Sequence, residues 1–407
     1  MTLQPNRRSF LIASGLTALA SSRAFGANET LRLGVIGAGG RMGTLLDCAD
    51  KVAPVQFTAV SDAYKPRRDA VVERSFSLSA PQATSHLDYH AVLDNKEIDA
   101  VLIASPDHWH LKMATDAIAA GKDVYLEKPV THTLEEGAAL TKAVRGSNRI
   151  VQCGMQQRSW DHFRNAVSLI QSGSLGKVVQ IRTYWWQNYQ SPYTKTPSWT
   201  SSNHPVDIAS LDWKAWLGNA PDQPFTKEKF FHWRWFWNFG GGAMTDLFTH
   251  WIDVVHWAMQ SDTPRDIQML ADKYVFLDWD CPDTIQAQLR YPAANGKNNF
   301  DVSYQGMMAS SIDDGGLEFR GTEATLKLTR SGFSLYHEGV GGKENPVLAE
   351  TSHRDGTIDH MQNFIDCIKS RKEPNAPVEA GVAAARAGQI ANQAYLGNGH
   401  LTWPTKS

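Results

Sequence analysis

Residues 31–43, LRLGVIGAGGRMG, decide the fold, because an apolar run leads directly into a cluster of glycines. The apolar run predicts a buried strand, and the glycines predict the tight turn that opens a helix in nucleotide-binding folds. Such a turn lets the backbone approach a pyrophosphate, which the following helix N-terminus stabilises. The match to G-x-G-x-x-G is imperfect, since Met42 stands where the third glycine is expected and Gly43 follows it. The stretch therefore predicts a dinucleotide-binding turn, and a plain glycine-rich turn is the alternative.

Strand and helix patterns alternate from residue 31 to about residue 150. Four apolar runs predict buried parallel strands, which is the doubly wound pattern of an α/β fold. Residues 31–150 are therefore predicted to form a Rossmann-type domain. The strands are LRLGVIG, QFTAVSD, DAVLIAS and DVYLEK, and three of the helices are predicted over residues 66–79, 108–120 and 133–145.

The loops that follow these strands are candidates for cofactor binding, because ligands bind at the carboxyl ends of strands in open parallel sheets. Asp62 ends the second strand, where an acid accepts the adenosine ribose hydroxyls and favours NAD over NADP. Lys65, Arg67 and Arg68 offer cations for a 2′-phosphate, so NADP stays open. The predicted cofactor-binding residues are Gly37, Gly39, Gly40, Arg41, Met42, Asp62, Ser105, Pro106, His108, His110, Glu127 and Lys128.

Lys128 is the most informative of these residues, because it stands in the motif Glu127-Lys128-Pro129 at the mouth of a buried strand. A lysine fixed there and partly desolvated suits an acid/base role. A surface lysine before a helix is the alternative. His108 and His110, in the loop SPDHWH, either contact a ligand or cap the start of the next helix.

The first 26 residues predict a twin-arginine export signal. Arg7 and Arg8 precede a weakly apolar stretch of ten residues, 11–20, which is shorter than the about 20 residues that span a bilayer. Ala24-Phe25-Gly26 fits an A-x-G cleavage site. No cysteine lies near it, so a lipid anchor is not predicted. The segment thus predicts a periplasmic location, no stable membrane anchor, and the twin-arginine translocase as a partner during export. A disordered N-terminus with a chance arginine pair is the alternative.

Composition excludes other classes of function. The formal net charge of the 407 residues is −2, and the sequence contains no basic patch. Binding to nucleic acid or to an anionic membrane is therefore not predicted. The four cysteines, Cys48, Cys153, Cys281 and Cys367, are far apart and lack metal-site spacing, so no metal is predicted. Scattered thiols also fit a chain that folds in the reducing cytoplasm before export.

Seven stretches together resemble the glucose–fructose oxidoreductase / inositol dehydrogenase / MocA (Gfo/Idh/MocA) family. They are GAGGRMG (37–43), ASPDHWH (104–110), YLEKP (125–129), VQCGMQQRS (151–159), LDWKAWLG (211–218), RWFWNFGGGAMTDLFTHWID (234–253) and HMQNFIDCIKSRKEPNAPVEAG (360–381). The resemblance covers essentially the whole chain after the signal, and it defines a superfamily and not a substrate.

The resemblance implies a C-terminal α/β domain, residues 151–407, with an open and mainly antiparallel sheet. One face of that sheet is expected to form a homo-oligomer, and helices near 360–396 are expected to pack back on the first domain. The strands of this half are predicted near residues 178–186, 266–277, 284–291, 299–305, 315–319 and 325–329.

The resemblance also implies a catalytic set. The lysine of the family's EKP motif lies near the nicotinamide and the reacting carbinol, and it corresponds to Lys128. A D-x-x-x-H pair completes the family's site, and here it is Asp246 and His250, which share a helix face at positions i and i+4. We expect His250 to remove the hydroxyl proton while Asp246 orients it. A core histidine satisfied by the aspartate is the alternative.

Substrate binding is assigned to Lys128, Gln156, Arg158, Trp235, Asp246 and His250. The aromatic run at residues 230–239 predicts a surface for the apolar face of a sugar, with a loop packed by its own aromatics as an equal alternative.

Together these features predict an NAD(P)-dependent oxidoreductase that acts on a sugar, cyclitol or glycoside hydroxyl. Free NAD is scarce outside the cytoplasm, so export adds the expectation that the cofactor stays bound and cycles without net redox change. One alternative is an NAD-dependent glycosidase that oxidises, eliminates and re-reduces. Another is a binding protein without catalysis on the same fold.

Overall fold

The computed structural model describes residues 30–78, 82–189, 206–293, 298–339, 345–352 and 354–403. The predicted export signal, residues 1–26, lies outside the described residues. Within the described ranges, none of the helices combines the length and the apolar character that crossing a membrane requires.

The N-terminal part of the chain forms a sheet of six parallel strands with helices between them. The strands are β1 (Leu31–Ile36), β2 (Val55–Ser61), β3 (Thr84–His86), β4 (Ala100–Ile103), β5 (Asp123–Leu126) and β6 (Val151–Cys153). The helices are α1 (Gly40–Val52), α2 (Lys65–Leu78), α3 (His90–Asp94), α4 (His110–Ala119) and α5 (Leu134–Arg145). The strand order is β3-β2-β1-β4-β5-β6, so the direction of winding reverses between β1 and β4 and opens a crevice at their carboxyl ends. The predicted doubly wound fold is confirmed.

The C-terminal part of the chain forms a sheet of nine strands, packed on helices. The strands are β7 (Gln180–Trp186), β8 (Asp266–Asp272), β9 (Thr284–Tyr291), β10 (Phe300–Met307), β11 (Gly315–Arg320), β12 (Ala324–Thr329), β13 (Gly332–His337), β14 (Leu348–Thr351) and β15 (His400–Thr402). The helices are α6 (Asp161–Gln171), α7 (Trp213–Leu217), α8 (Lys227–Phe231), α9 (Gly242–Asp246), α10 (Phe248–Met259), α11 (Thr357–Ser370) and α12 (Val378–Leu396).

The order of this second sheet is β14-β13-β12-β11-β7-β10-β9-β8-β15. Among the described strands of this second sheet, only β7 and β10 pair in parallel, and the other neighbours are antiparallel. The expectation of a mainly antiparallel sheet is therefore confirmed.

The core of the first domain explains why its first strand reads as a continuous apolar run. Leu33 and Val35 of β1 are fully buried and share a core with Leu45 of α1. Met361 and Phe364 of α11 belong to the same core, so this late helix covers one face of the parallel sheet. A strand buried on both faces needs a near-continuous apolar run, and the exception in β1, Arg32, is paired with Asp99.

Two predicted boundaries are wrong for local reasons. The helix predicted from residue 108 starts at His110, because residues 107–109 form a 3₁₀ turn. The strand predicted to run to residue 277 ends at Asp272. The buried carboxylate of Asp283 accepts hydrogen bonds from the backbone N–H groups of Tyr274, Val275 and Phe276, which turns the chain out of the sheet.

Candidate active site

A cavity of about 740 Å³ lies between the two domains, at the carboxyl ends of the parallel strands. Its walls come from the glycine turn, the end of β2, the loops after β4 and β5, and the region around α9 and α10. Thirteen of the residues predicted for the site line this one cavity: Gly37, Gly39, Gly40, Arg41, Asp62, Ser105, Pro106, Glu127, Lys128, Gln156, Trp235, Asp246 and His250.

The glycine turn can only be built from glycine at its first position. Gly37 has φ +79°, and a Cβ there would lie 2.7 Å from the backbone N of Ser105. Gly39 is the N-cap residue of α1, so the free N–H groups of that helix point toward the cavity. This cradle fits the pyrophosphate of a dinucleotide.

Asp62 holds the turn from the other side. Its Oδ2 accepts a hydrogen bond from the backbone N of Ala38 at 2.7 Å, and its Oδ1 accepts one from the backbone N of Tyr64 at 2.8 Å. Each carboxylate oxygen keeps a lone pair for a ribose hydroxyl. Of the nearby cations, Arg68 donates to the Asp62 carbonyl and to Ser85, whereas Arg67 lines the cavity with its Cζ 4.6 Å from the centre of the Phe230 ring.

Glu127 positions the backbone beside Lys128. Its Oε1 pairs with Arg41 Nε at 2.6 Å, and its Oε2 accepts from the backbone N of Lys128 at 3.1 Å. Only a glycine fits across from it, since a Cβ at Gly154 would lie 2.7 Å from the carboxylate. The carboxylate is thus enclosed and fixes the start of the EKP loop.

Lys128, Asp246 and Arg234 form one ionic cluster. Lys128 Nζ lies 2.6 Å from Asp246 Oδ1 and 2.8 Å from the Asp246 carbonyl, and Arg234 Nε lies 3.0 Å from the same Oδ1. Burial alone would raise the pKa of Asp246, but the two cations outweigh burial and lower it to about 2. Asp246 is therefore a carboxylate that holds Lys128 in place.

His250 is oriented by Gln157 and not by Asp246. The prediction that Asp246 orients His250 is wrong, because the helix breaks between them at Leu247, and the backbone N of His250 bonds to the carbonyl of Leu247. His250 Nδ1 lies 3.2 Å from Gln157 Oε1, and the imidazole stacks on Trp185 with ring centroids 5.7 Å apart.

The electrostatics of His250 favour a neutral ring. Burial lowers its pKa well below the ordinary value for histidine, and the charges of Lys128, Arg330 and Arg41 act in the same direction. With Nδ1–H donated to Gln157, the free Nε2 carries a lone pair. A neutral imidazole with one free lone pair can accept a proton at neutral pH.

Three residues predicted to bind the cofactor belong to the interior instead. Met42 is fully buried in the core under β1. His110 is buried with Nδ1 2.6 Å from the Pro129 carbonyl and Nε2 2.9 Å from the Ser105 carbonyl, so it ties two cavity loops together. His108 packs among Trp216 and other aromatic rings, and burial lowers its pKa to about 3. The capping or packing alternative is thus the better one for both histidines.

Arg158 is also misassigned as a substrate-binding residue. It lies outside the cavity lining, and its guanidinium pairs with Asp253 through contacts of 2.8 and 2.9 Å. Its Cζ lies 5.4 Å from the centre of the Trp257 ring. Arg158 therefore neutralises a buried carboxylate.

The aromatic run divides between the two interpretations. Most of its rings are buried, and Trp235, although it touches the cavity, stacks on Trp279 with centroids 4.5 Å apart. His232 and Trp233 line the cavity. Of the run, Arg234 has the clearest function in the site, and the sequence marked it only as a polar neighbour of the aromatics.

The sequence does not indicate Gln157 or Arg330, which also belong to the site. Trp185 stands in a second aromatic stretch, residues 184–189, for which the sequence leaves sugar binding and loop packing open, and it lines the cavity. The predicted Gln156 lines the cavity, whereas the adjacent Gln157 acts on the site through its contact with His250. Among the described residues, no group of three or more His, Cys, Asp or Glu side chains is arranged to hold a metal ion.

Comparison with known proteins agrees with this architecture. Residues 31–155 match the model of the Gfo/Idh/MocA oxidoreductase family, NAD-binding Rossmann fold, and residues 207–398 match the model of the C-terminal α/β domain of that family.

Two curated relatives match parts of the chain. A glycosyl hydrolase family 109 protein of Solibacter usitatus is 34% identical over 131 residues, which is 31% of this chain and 30% of that protein. The levoglucosan dehydrogenase of Pseudarthrobacter phenanthrenivorans is 29% identical over 177 residues, 42% of this chain and 45% of that protein. The chain thus spans less than half the length of these two relatives.

The fold extends further than the sequence similarity. A solved structure of levoglucosan dehydrogenase in complex with NADH and levoglucosan superposes with a TM-score of 0.71 at 18% identity, and covers 93% of this chain and 100% of that one. At that identity the likeness establishes the shared two-domain fold.

Proposed function

Because the chain belongs to the Gfo/Idh/MocA oxidoreductase family, we propose that it oxidises a hydroxyl group of a sugar, cyclitol or glycoside with NAD. The observation that carries the proposal is that Lys128 and His250 face the same cavity as the glycine turn and Asp62. When bound, the nicotinamide supplies the acceptor for the hydride from the carbinol carbon.

In this proposal, His250 is the base. Its buried, neutral ring has Nε2 free, so it accepts the proton of the substrate hydroxyl. Gln157 keeps the tautomer, since the Nδ1 proton is donated to its amide oxygen.

Lys128 stabilises the oxygen that loses this proton. Two of the three ammonium N–H groups are directed to the carboxylate and carbonyl of Asp246, which leaves one for the substrate oxygen. A fixed cation aimed at developing negative charge lowers the barrier more than a mobile one. Asp246 and Arg234 act as positioning residues because they hold the ammonium.

The test is NAD reduction, followed at 340 nm, with a panel of sugars, cyclitols and methyl glycosides. We expect turnover with at least one of them, and a loss of about 10²–10⁴-fold in kcat for His250→Asn. His337→Asn, the same exchange at an exposed histidine on β13, serves as the control and retains full activity. Full kcat in His250→Asn, or no turnover with any member of the panel, would contradict the proposal.

A second candidate function, the redox-neutral glycosidase, is favoured by the similarity to the family 109 hydrolase over 31% of the chain. It predicts release of nitrophenol from a nitrophenyl glycoside without accumulation of NADH. The dehydrogenase predicts NADH in proportion to the oxidised product.

We also propose that the twin-arginine route exports the folded chain with NAD bound, and that the enzyme acts in the periplasm. The motif at residues 7–11 supports this, as that route carries folded proteins. Enzyme purified from the periplasm is expected to carry about one nicotinamide per chain that is released only on denaturation. Arg7→Lys with Arg8→Lys should leave the protein in the cytoplasm. Periplasmic protein that lacks nicotinamide and exchanges added NAD freely would contradict cofactor retention.

A further inference from the structure

Arg330 is a cation in the cavity wall that the catalytic cluster does not use. It stands in the turn between β12 and β13 and lines the cavity together with His250 and Trp185. Its Cζ lies 4.8 Å from the centre of the Trp185 ring, and that ring stacks on His250. Arg330 is therefore placed at the reacting end of the cavity.

The guanidinium lacks an acceptor within the described part of the chain. Its Nε is buried without a hydrogen-bond partner, and it forms no ion pair with a described residue. Buried polar groups in folded proteins are nearly always hydrogen-bonded, and an exception calls for a specific explanation. A guanidinium with open N–H groups beside a ligand cavity is explained by an acceptor on the ligand.

The surrounding charges specify the sign of that ligand. A single carboxylate, Asp246, serves both Lys128 and Arg234, and the carboxylate of Glu127 is paired with Arg41. A further acid, Asp107, lies near this cluster, but burial and the charge of Asp246 raise its pKa well above the ordinary value, which favours its neutral form. With Arg330 added, the cations therefore outnumber the carboxylates at this end of the cavity.

Burial lowers the pKa of Arg330 to about 10 and Arg41 acts in the same direction, whereas the carboxylates of Asp355, Asp314 and Asp246 act against them from beyond ion-pair distance. An anion in direct contact with the guanidinium would therefore relieve the effects of burial and of Arg41.

We propose that the substrate is an acidic sugar, one that carries a carboxylate such as the C6 group of a uronic acid, and that Arg330 binds this carboxylate. The inference rests on the proposed function and specifies its substrate class. A guanidinium binds a carboxylate with two parallel hydrogen bonds, which gives both affinity and orientation. The pyrophosphate of the cofactor is the other anion in the cavity, but the glycine turn and the start of α1 already provide its cradle.

The test compares matched pairs of substrates that differ only at C6: methyl glucoside with methyl glucuronide, and methyl galactoside with methyl galacturonide. We expect kcat/KM to be at least about 10-fold higher for the acid of the productive pair. Arg330→Gln is expected to lower kcat/KM for the acid by about 100-fold, mainly through KM, and to change it for the neutral partner by less than about 3-fold. Arg330→Lys should restore part of the loss.

Binding of NAD is titrated separately by protein fluorescence in each variant, and thermal melts confirm folding. Lys327→Gln, which removes an exposed cation from β12, is the matched control and should match the wild type in every measurement.

Three results would overturn the inference. One is a preference of the wild type for the neutral partner, which leaves the proposed function intact. Another is a loss of NAD affinity in Arg330→Gln with an unchanged acid-to-neutral ratio, which would assign Arg330 to the cofactor pyrophosphate. The third is no reduction of NAD with any sugar, which removes the proposed function and the substrate class with it.

Discussion

The two ends of the cavity are built in different ways. At the cofactor end, the backbone of the glycine turn and the carboxylate of Asp62 form the surface, and both belong to short contiguous motifs. At the substrate end, side chains from distant parts of the chain meet, as in the ion pair of Lys128 with Asp246, 118 residues apart. Short contiguous motifs therefore determine the cofactor end of the cavity, whereas the substrate end forms only when the second domain packs against the first.

The largest expected effect is a loss of kcat without a loss of NAD affinity, which distinguishes the substrate end from the cofactor end. Lys128→Met removes the ammonium from the substrate oxygen and leaves Asp246 with Arg234 alone, so kcat should fall by about 10³-fold. NAD affinity, measured by fluorescence titration, should change by less than about 3-fold, because the turn and Asp62 are untouched. Lys142→Met, exposed on α5, is the control. A parallel loss of NAD affinity would show that the two ends are not separable.

The reverse experiment addresses the cofactor end. Gly37→Ala places a methyl group 2.7 Å from the Ser105 backbone at a φ that favours glycine, so the turn must move. We expect the Kd for NAD to rise by about 100-fold, while kcat at saturating NAD stays within about 3-fold. Gly43→Ala is the matched control, because a Cβ at Gly43 in α1 meets no atom within 4 Å. If kcat falls as much as affinity, the cofactor end also sets the catalytic geometry.

The sequence predicts the residues of the cofactor end better than those of the substrate end. Gly37, Asp62 and Lys128 are found at motif positions, since each stands at the end of an apolar run that reads as a strand. Gln157 and Arg330 carry no such signal, because their role depends on where β12, β13 and the turn before α6 come to lie in space. The sequence does not predict β3, β6, β13, β14 and β15. Four of these strands have only three or four residues, and β13 alternates Phe333 and Leu335 with polar residues, so none of the five forms a continuous apolar run.

At two positions, closeness in the sequence predicts a contact that the fold does not form. The i, i+4 rule assumes a continuous helix, and the break at Leu247 separates Asp246 from His250. That break frees the carbonyl of Asp246, which Lys128 then occupies. His110 directly follows residues that line the cavity, but both of its ring nitrogens lie against backbone carbonyls and not against the cavity.

A smaller effect concerns the environment of His250. Since its pKa lies well below the ordinary 6.5 and its neutral form is the active one, activity is lost only as the pH falls through that low pKa. The kcat/KM of the wild type should therefore stay flat from about pH 8 down to about pH 6. Gln157→Glu places a carboxylate on Nδ1 and raises the pKa, so the acid limb should move upward by about one pH unit and become measurable. An acid limb near pH 6.5 in the wild type would contradict the lowered pKa of His250. An unchanged profile in Gln157→Glu would contradict the assignment of His250 as the base.

The smallest effect on turnover is expected at Arg158, which the sequence assigned to substrate binding and the fold places behind the site. Its side chain is 13% exposed and that of Asp253 is 2% exposed, so Arg158→Met leaves a buried carboxylate without its partner. Removing one partner of a buried pair costs about 3–5 kcal/mol in the free energy of unfolding, whereas replacing both by apolar residues costs much less. Denaturant unfolding should therefore show a large loss for Arg158→Met and recovery in the double variant Arg158→Met with Asp253→Leu.

The kcat/KM of both folded variants should stay within about 2-fold of the wild type, because neither residue lines the cavity. A raised KM with unchanged stability would instead place Arg158 in contact with the substrate and extend the substrate end of the site beyond the cavity wall. If Arg158 stabilises the fold, its substitution lowers the free energy of unfolding, and if Arg158 binds the substrate, its substitution raises KM. The two measurements together therefore decide between these roles.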